Sequence, residues 1–424
     1  MSNTDLTILQ ITREALRVLH NNCVFAKNAN KEYSSEFAKA GAKIGATANV
    51  RMPPKYYVTK SANLQAQNFT ETSTPVTINT QWQTGLKFTQ QELTLSLDDF
   101  SKRIINPAMA KLATSVDMDG LTLAKDIYNQ VGTAGTTPGT AGGSGLALST
   151  TPQIYLNAGA LLDSNAVPRD ENRRVVLEPF AMANSVAGLS GLFQDSGKLA
   201  EQYSKGVLGK ALGFDFASDQ NVHRLTTGTH SYTAASLQVS TAGQTGASLI
   251  TRGWSKASET VLKAGEVFTI AGVYGVNPEN QQSTGQLQQF VVTADATSAA
   301  SVPATTGAGS TLSISPSIVV AGTGVANGTV TAAPANNAAI TILTGSGATD
   351  YPLSLAYHKD AFTLATVDLE MPRGVDMAMR ESYDGISMLI VRAYDINTSN
   401  FPCRVDILGG WKTLRPEMAV RIIG

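Results

Sequence analysis

The chain has 424 residues, ample for two or three domains, and sets 32 Lys and Arg against 33 Asp and Glu, with only 15% of residues charged. That balance excludes the charge signature of a protein built to grip nucleic acid or an anionic membrane surface. Cys23 and Cys403, far apart, make neither a disulfide framework nor a metal knuckle and suit a reducing compartment. Residues 1–22 lack the basic start and apolar run of a secretory signal, and no window approaches the roughly 18 apolar residues of a membrane span. The expectation is a soluble protein made in the cytoplasm.

Residues 4–20 predict an amphipathic helix. Ile8, Ile11, Ala15, Leu16 and Leu19 share one face, and Thr4 can cap it. Such a terminal helix must find a partner surface in its own subunit or in another. Residues 24–45 are polar and small and read as an extended or irregular arm.

Between residues 50 and 95, apolar and polar residues alternate over 76–82 and 86–88. The period of 2 predicts an antiparallel ribbon with a long polar tip near 60–74. An isolated hairpin is marginal in water, so it folds back on its own domain or reaches a neighbour. The residues leave both open.

In residues 96–131, Phe100, Ile104, Ala108, Leu112, Val116, Leu123 or Ala124, Ile127 and Val131 recur at helical spacing. Ser96 is a candidate N-cap, with Asp98 and Asp99 in the first turn, where the helix dipole favours negative charge. An unbroken helix would be roughly 50 Å long. Pro107 and Gly120 interrupt it, which predicts a kink or break at one of them; two ordinary helices with a bend are the alternative. Asp117 and Asp119, two apart, fall on different faces and read as solvated carboxylates rather than an acid–base pair.

Residues 132–149 read as a flexible Gly/Thr loop. Helices are expected over 151–163, with Pro152 at the first helical position, and from Pro179 onwards. Residues 198–212 read as polar loop and helix, and strands are expected over 174–177 and 213–216. The composition then shifts. No Lys or Arg stands between Lys263 and Lys359. Short β-type runs at 237–239, 267–271, 287–292, 312–314, 318–320 and 339–343 alternate with turn residues such as Asn277-Pro278, Asn327-Gly328, Pro334 and Gly345. They predict an all-β domain inserted over 222–352. The α/β character resumes at 353–364, and long strands expected at 385–394 and 403–411 with a short one at the C-terminus complete a discontinuous domain.

No catalytic constellation emerges. His223 and His230 lack a third ligand nearby, which argues against a metal site. The run Gly188-Leu189-Ser190-Gly191 lacks a spacer of the nucleophile elbow, and residues 206–211 lack the spacing of a phosphate-binding loop. Arg169, Arg173 and Arg174 cluster without aromatics and read as a solvated rim. No cofactor or metal is implied and no enzyme activity is expected.

The segments GLKFTQQELTLSLDDFSKRIINPAMAKLA (85–113), GEVFTIAGVYGVNP (265–278), AYHKDAFTLA (356–365) and GWKTLRPEMAVRIIG (410–424) resemble the major capsid proteins of tailed bacteriophages, of the P22-type coat protein family. The similarity runs in the same order over most of the chain. It implies an α+β, HK97-type capsid fold. Residues 1–45 would be the N-terminal arm, 46–92 the E-loop, and 93–149 the peripheral domain with its long spine helix. Residues 150–221 would begin the axial domain, 222–352 would be the inserted all-β domain, and 353–424 the return strands of the axial and peripheral domains.

The function implied by that resemblance is self-assembly into the icosahedral head shell of a phage virion around packaged double-stranded DNA. The implied partners are many copies of the same chain in hexamers and pentamers, a scaffolding protein and a portal during assembly, DNA held non-specifically on the inner face, and decoration or tail proteins; no membrane is implied. The insert, poor in Lys and Arg, would be a poor DNA-facing surface. Arg51, Lys55, Lys60 and Glu71 in the E-loop are the candidate intersubunit contacts. Some members of the wider fold crosslink subunits through Lys and Asn, a chemistry that closer relatives lack. Two rivals remain: a self-assembling surface-layer or adhesive protein, disfavoured by the missing signal, and an enzyme with a β-insertion, disfavoured by the absence of a convergent titratable cluster.

Overall fold

The computed structural model describes residues 8–32, 47–58, 60–64, 66, 71–89, 106–189, 208–232, 237–299, 309–322 and 324–424. The chain divides into two compact units, Met1–Met52 with Thr72–Leu121 and Phe362–Leu414, and Pro53–Glu71 with Thr122–Ala361 and Arg415–Gly424.

In the first unit, α1 (Ile8–Asn22) buries Ala15, Leu16 and Leu19, as the spacing of its apolar stripe requires. That stripe shares a core with Met109, Leu112, Ala113 and Val116 of α3 (Asn106–Leu121). The segment between departs from the expected irregular arm. Residues 25–28 form a short helix, α2 (Phe25–Asn28), with Phe25 and Ala26 fully buried. The Phe25 ring lies 5.4 Å from Phe362 and 5.2 Å from Trp411. The α2 N-terminus is capped from a distance in sequence: the N–H groups of Val24, Phe25 and Ala26 donate to the Asp117 carboxylate at 2.6, 3.2 and 2.8 Å. Asp117 is therefore a buried cap and not a solvated group, because three otherwise orphaned donors at a positive helix end are its partners. Asp119 accepts from the Trp82 indole at 2.6 Å.

The helix expected over 96–131 does not continue to Val131. Helix α3 ends at Leu121, a 3-10 turn occupies Thr122–Asp126, and Gln130–Val131 form a strand, β4. A break falls beside Gly120; Pro107 lies in the first described turn of α3, and the residues before Asn106 lie outside the described ones. At Gly120 a Cβ would come within 2.7 Å of the Phe25 and Trp411 rings, so the close packing excludes any side chain. Ser96, Asp98, Asp99, Phe100 and Ile104 lie outside the described residues.

The ribbon is also divided differently from its pattern. Strand β1 (Thr47–Arg51) pairs antiparallel with β2 (Ser73–Thr77), from Thr47 opposite Thr77 to Arg51 opposite Ser73. The alternation continues past Ile78 and Asn79, but β3 (Thr80–Thr89) pairs with β21 (Asn400–Thr413). Strand β21 also carries β18 (Phe362–Val367) and β20 (Ile386–Arg392), which in turn pairs with β19 (Met377–Tyr383). Period 2 fixes which side chains share a face; it does not name the partner strand.

In the second unit a seven-stranded sheet runs β4, β22 (Ala419–Ile423), β17 (Asp350–His358), β5 (Arg173–Leu177), β7 (Phe214–Ser218) and β6 (Lys210–Ala211), with β8 (Arg224–Thr226) also on β17. Helices α4 (Gln153–Ser164) and α5 (Pro179–Leu189) bury Ile154, Tyr155, Leu162 and Met182 against Val175, Leu177, Phe216 and Ile422. The Gly/Thr stretch 132–149, expected to be flexible, is tied by backbone bonds from Gly132 to Leu146 (3.0 Å), Gly139 to Ser149 (2.9 Å) and Ser149 to Gly142 (2.9 Å). Its small residues let the chain fold tightly on itself; they do not leave it unbonded. Residues 198–207 lie outside the described residues.

The same unit holds a six-stranded sheet in the order β16 (Ile340–Ile342), β12 (Val267–Val276), β13 (Ser283–Val292), β15 (Ser310–Ile318), β10 (Gly246–Arg252), β9 (Gln238–Val239). A short pair, β11 (Thr260–Leu262) and β14 (Ala296–Thr297), accompanies it. Its core gathers Leu249, Trp254, Phe268, Phe290, Leu312 and Ile340, all from within residues 222–352. The described residues of 222–352 contain no helix.

Candidate assembly surface

The stalk of the ribbon is held from one side. Val50 of β1 and Val76 of β2 are buried in a small cluster with Ile78, Ala365 and Leu414. The Met52 N–H donates to the Thr72 carbonyl at 2.8 Å and closes the base of the loop. Val58 is 91% exposed, Leu64 94% and Tyr56 61%. Scattered apolar exposure is ordinary on a protein surface, and the exposure of Val58 and Leu64 within one loop makes that loop the candidate contact surface.

All four sequence-predicted contact residues are exposed and belong to this feature. Arg51 ends β1 and Glu71 precedes β2, both at the stalk, while Lys55 and Lys60 lie along the loop. Sequence reasoning fastened on these charges and missed Tyr56, Val58 and Leu64. Their signal was present as Tyr56 and Val58 in the segment MPPKYYV (52–58), and as Leu64 within the polar run that follows it.

The titratable groups elsewhere form local ties. His230 Nε2 meets Glu266, which also accepts from the N–H groups of Gly228 (2.6 Å) and Lys263 (2.8 Å). His358, buried, lies 3.1 Å from Asp170. Burial pushes the Asp384 carboxyl up, but the Lys31 ammonium at 2.5 Å and His20 at 2.9 Å hold it below the usual carboxylate range. Of the arginine group expected to form a solvated rim, Arg169 is exposed and pairs with Asp163, whereas Arg173 and Arg174 are drawn into the fold. Arg173 is buried and donates to Asp163 (2.8 Å) and to the Val167 (2.6 Å) and Pro168 (2.9 Å) carbonyls, and Arg174 pairs with Asp215. Among the described residues no three His, Cys, Asp or Glu side chains are placed to hold a metal ion. No helix among them is long and apolar enough to cross a membrane.

The whole chain, residues 1–424, matches a family model of phage coat proteins, which makes this a major capsid protein, a component of the virion that acts as many copies in a head shell. The family is the one described as P22 coat protein - gene protein 5, and the chain belongs to it. The mixed α and β architecture fits the HK97-type capsid fold that the resemblance implied. No curated protein matches the sequence. Among solved structures, a chain from Mycobacterium phage Che8 is 12% identical, with 94% of this chain and 90% of that one covered and a TM-score of 0.45. The capsid of the cyanophage P-SCSP1u is 12% identical over 89% and 83%, with a TM-score of 0.42. The capsid of Ralstonia phage GP4 is 8% identical over 93% and 86%, with a TM-score of 0.41.

Proposed function

We propose that this coat subunit works without catalysis, by presenting the loop between β1 and β2 to neighbouring copies in the shell. The observation that carries this reading is the near-complete exposure of Val58 and Leu64. Arg51, Lys55, Lys60 and Glu71 then serve as the polar rim of that contact, setting orientation more than affinity. Contacts of modest area, repeated on several neighbours, suit a shell that must correct errors while it grows.

In the same reading, subunits co-assemble in the host cytoplasm with a scaffolding protein and a portal into hexamers and pentamers, and enclose DNA through weak, non-specific contacts on the inner face. Decoration or tail proteins would join the finished shell. Residues 222–352 act as an inserted domain that supports folding of the subunit; the support for this is a sheet with an apolar core of its own. The test is electron microscopy of sedimented lysates expressing this chain, with and without a scaffolding protein, in native form and as the Tyr56→Ser/Val58→Ser/Leu64→Ser variant. Uniform shells from the native chain and soluble, folded subunits from the variant are the expected result. Shells of normal yield from the variant would remove the loop from the assembly contact.

A further inference from the structure

Within the second unit, one polar cluster breaks the usual rule of burial. Arg421, on β22, has no exposed surface at all. Its guanidinium donates to the Gln130 side-chain oxygen from Nε at 2.9 Å and from Nη2 at 2.6 Å, and from Nη1 to the Gly265 carbonyl. Both acceptors are neutral. The charged group acting on it is Glu266, which spends its own hydrogen bonds on Gly228, Lys263, Thr344 and His230.

Gln130 is gripped from every direction. Its backbone N–H donates to the Gln289 side-chain oxygen at 2.5 Å, and its carbonyl accepts from the Gln289 amide nitrogen at 3.0 Å. The Gln289 side chain thus does for β4 what a neighbouring strand would do. The Gln130 side-chain nitrogen donates to the Leu343 carbonyl at 2.8 Å. Gly265 adopts φ +99°, and a Cβ there would lie 2.8 Å from the Lys125 side chain, so the approach that brings its carbonyl to Arg421 requires glycine. Under the cluster Tyr128 packs against Val267 and Val291.

The cluster therefore joins β4 and β22 of the seven-stranded sheet to the turn before β12, to Gln289 of β13 and to the chain after β16. A buried cation on neutral acceptors is poor value as a source of stability, since desolvation offsets most of what its contacts return. The best-attested use of such groups is to fix one arrangement among several of similar energy. Apolar packing alone would let the two sheets slide, because dispersion contacts are non-directional. The bonds of Gln130, Gln289 and Arg421 are satisfied in one register only.

We propose that Gln130, Gln289 and Arg421 form a buried clasp that sets the seating of the six-stranded sheet on the seven-stranded sheet, acting as a registry device rather than as a source of stability. A subunit that enters both hexamers and pentamers needs a defined seating of its own sheets, and the clasp supplies it whether or not the loop makes the contact proposed above.

The test is hydrogen exchange read by mass spectrometry on the full-length chain and on Arg421→Met, which keeps the volume and removes the charge and donors. In the variant, amides of 129–131, 265–267 and 289–292 exchange about tenfold faster or more, while those of 249–251, 312–314 and 175–177 keep native protection. Gln289→Leu removes the grip on β4 without touching the buried charge; it produces the same local pattern and decides the matter if Arg421→Met is insoluble. Unchanged exchange in Gln289→Leu, or acceleration spread evenly over both sheets in either variant, would overturn the proposal.

Discussion

The loop between β1 and β2 and the clasp around Arg421 invert the burial rule in opposite senses. The loop leaves Val58 and Leu64 in water; the clasp places a guanidinium, two side-chain amides and a carboxylate out of it. Each inversion costs stability in the isolated subunit, and each becomes intelligible once a second body is considered. For the loop, in the function proposed above, that body is another copy of the chain. For the clasp it is a second sheet of the same chain. Exposed apolar atoms gain from whatever partner covers them, so they favour association in general. Buried polar atoms gain only when every donor and acceptor is met, so they select one geometry. The loop thus speaks to whether subunits join, and the clasp to what shape each brings.

The comparison breaks first if the six-stranded sheet is not held by its own core. Trp254 is fully buried there, with its indole donating to Thr251 at 3.0 Å. Trp254→Ala is expected to cost about 3–5 kcal/mol in denaturant unfolding of the subunit; a loss under about 1 kcal/mol would mean that the core contributes little. Next comes a buried charge that does stabilise. Asp117→Ala strands three backbone donors, and a loss of about 3 kcal/mol is expected by the same measurement.

Arg421→Met sharpens the contrast, since it is expected to leave stability unchanged or raise it by about 1–4 kcal/mol. Burial presses Arg421 down from the ordinary arginine range to about 9. Below that value folded and unfolded chains both carry the proton and the full cost of burial is present. Above it the folded chain releases the proton while the unfolded chain keeps it, so native stability rises relative to Arg421→Met as pH passes about 9. Urea unfolding of both proteins across that range reads the gap, and a gap independent of pH would contradict the burial argument. Smallest of all, Lys55→Ala and Lys60→Ala are expected to change subunit stability by no more than about 0.5 kcal/mol. Their effect belongs in the salt dependence of shell yield, measured by sedimentation.

Much of this protein is legible in its residues. The stripe of Ala15, Leu16 and Leu19, the strands at 174–177 and 213–216, the helices opened by Pro152 and Pro179, and the run of β elements after 237 all follow from period and punctuation, which are local properties. The failures share a cause. Asp117 read as solvated because its partners, the N–H groups of residues 24–26, lie far off in sequence. The arm at 25–28 read as irregular because Phe25 is ordered by Phe362 and Trp411. The alternation from Val76 to Trp82 read as one strand, yet its two ends pair in different sheets. Of the candidate contact surface, the sequence revealed the loop and its charges, but exposure of Val58 and Leu64 is a statement about what fails to cover them.

By itself, then, the sequence determined the kinds of element, most of their order and membership of a coat protein family, because spacing along a chain dictates which side chains share a face. The tertiary structure alone decided where the long helix stops, which strand β3 joins, and that Gln130, Gln289 and Arg421 meet. Those outcomes depend on close approach at Gly120 and Gly265 and on hydrogen bonds between residues more than a hundred positions apart.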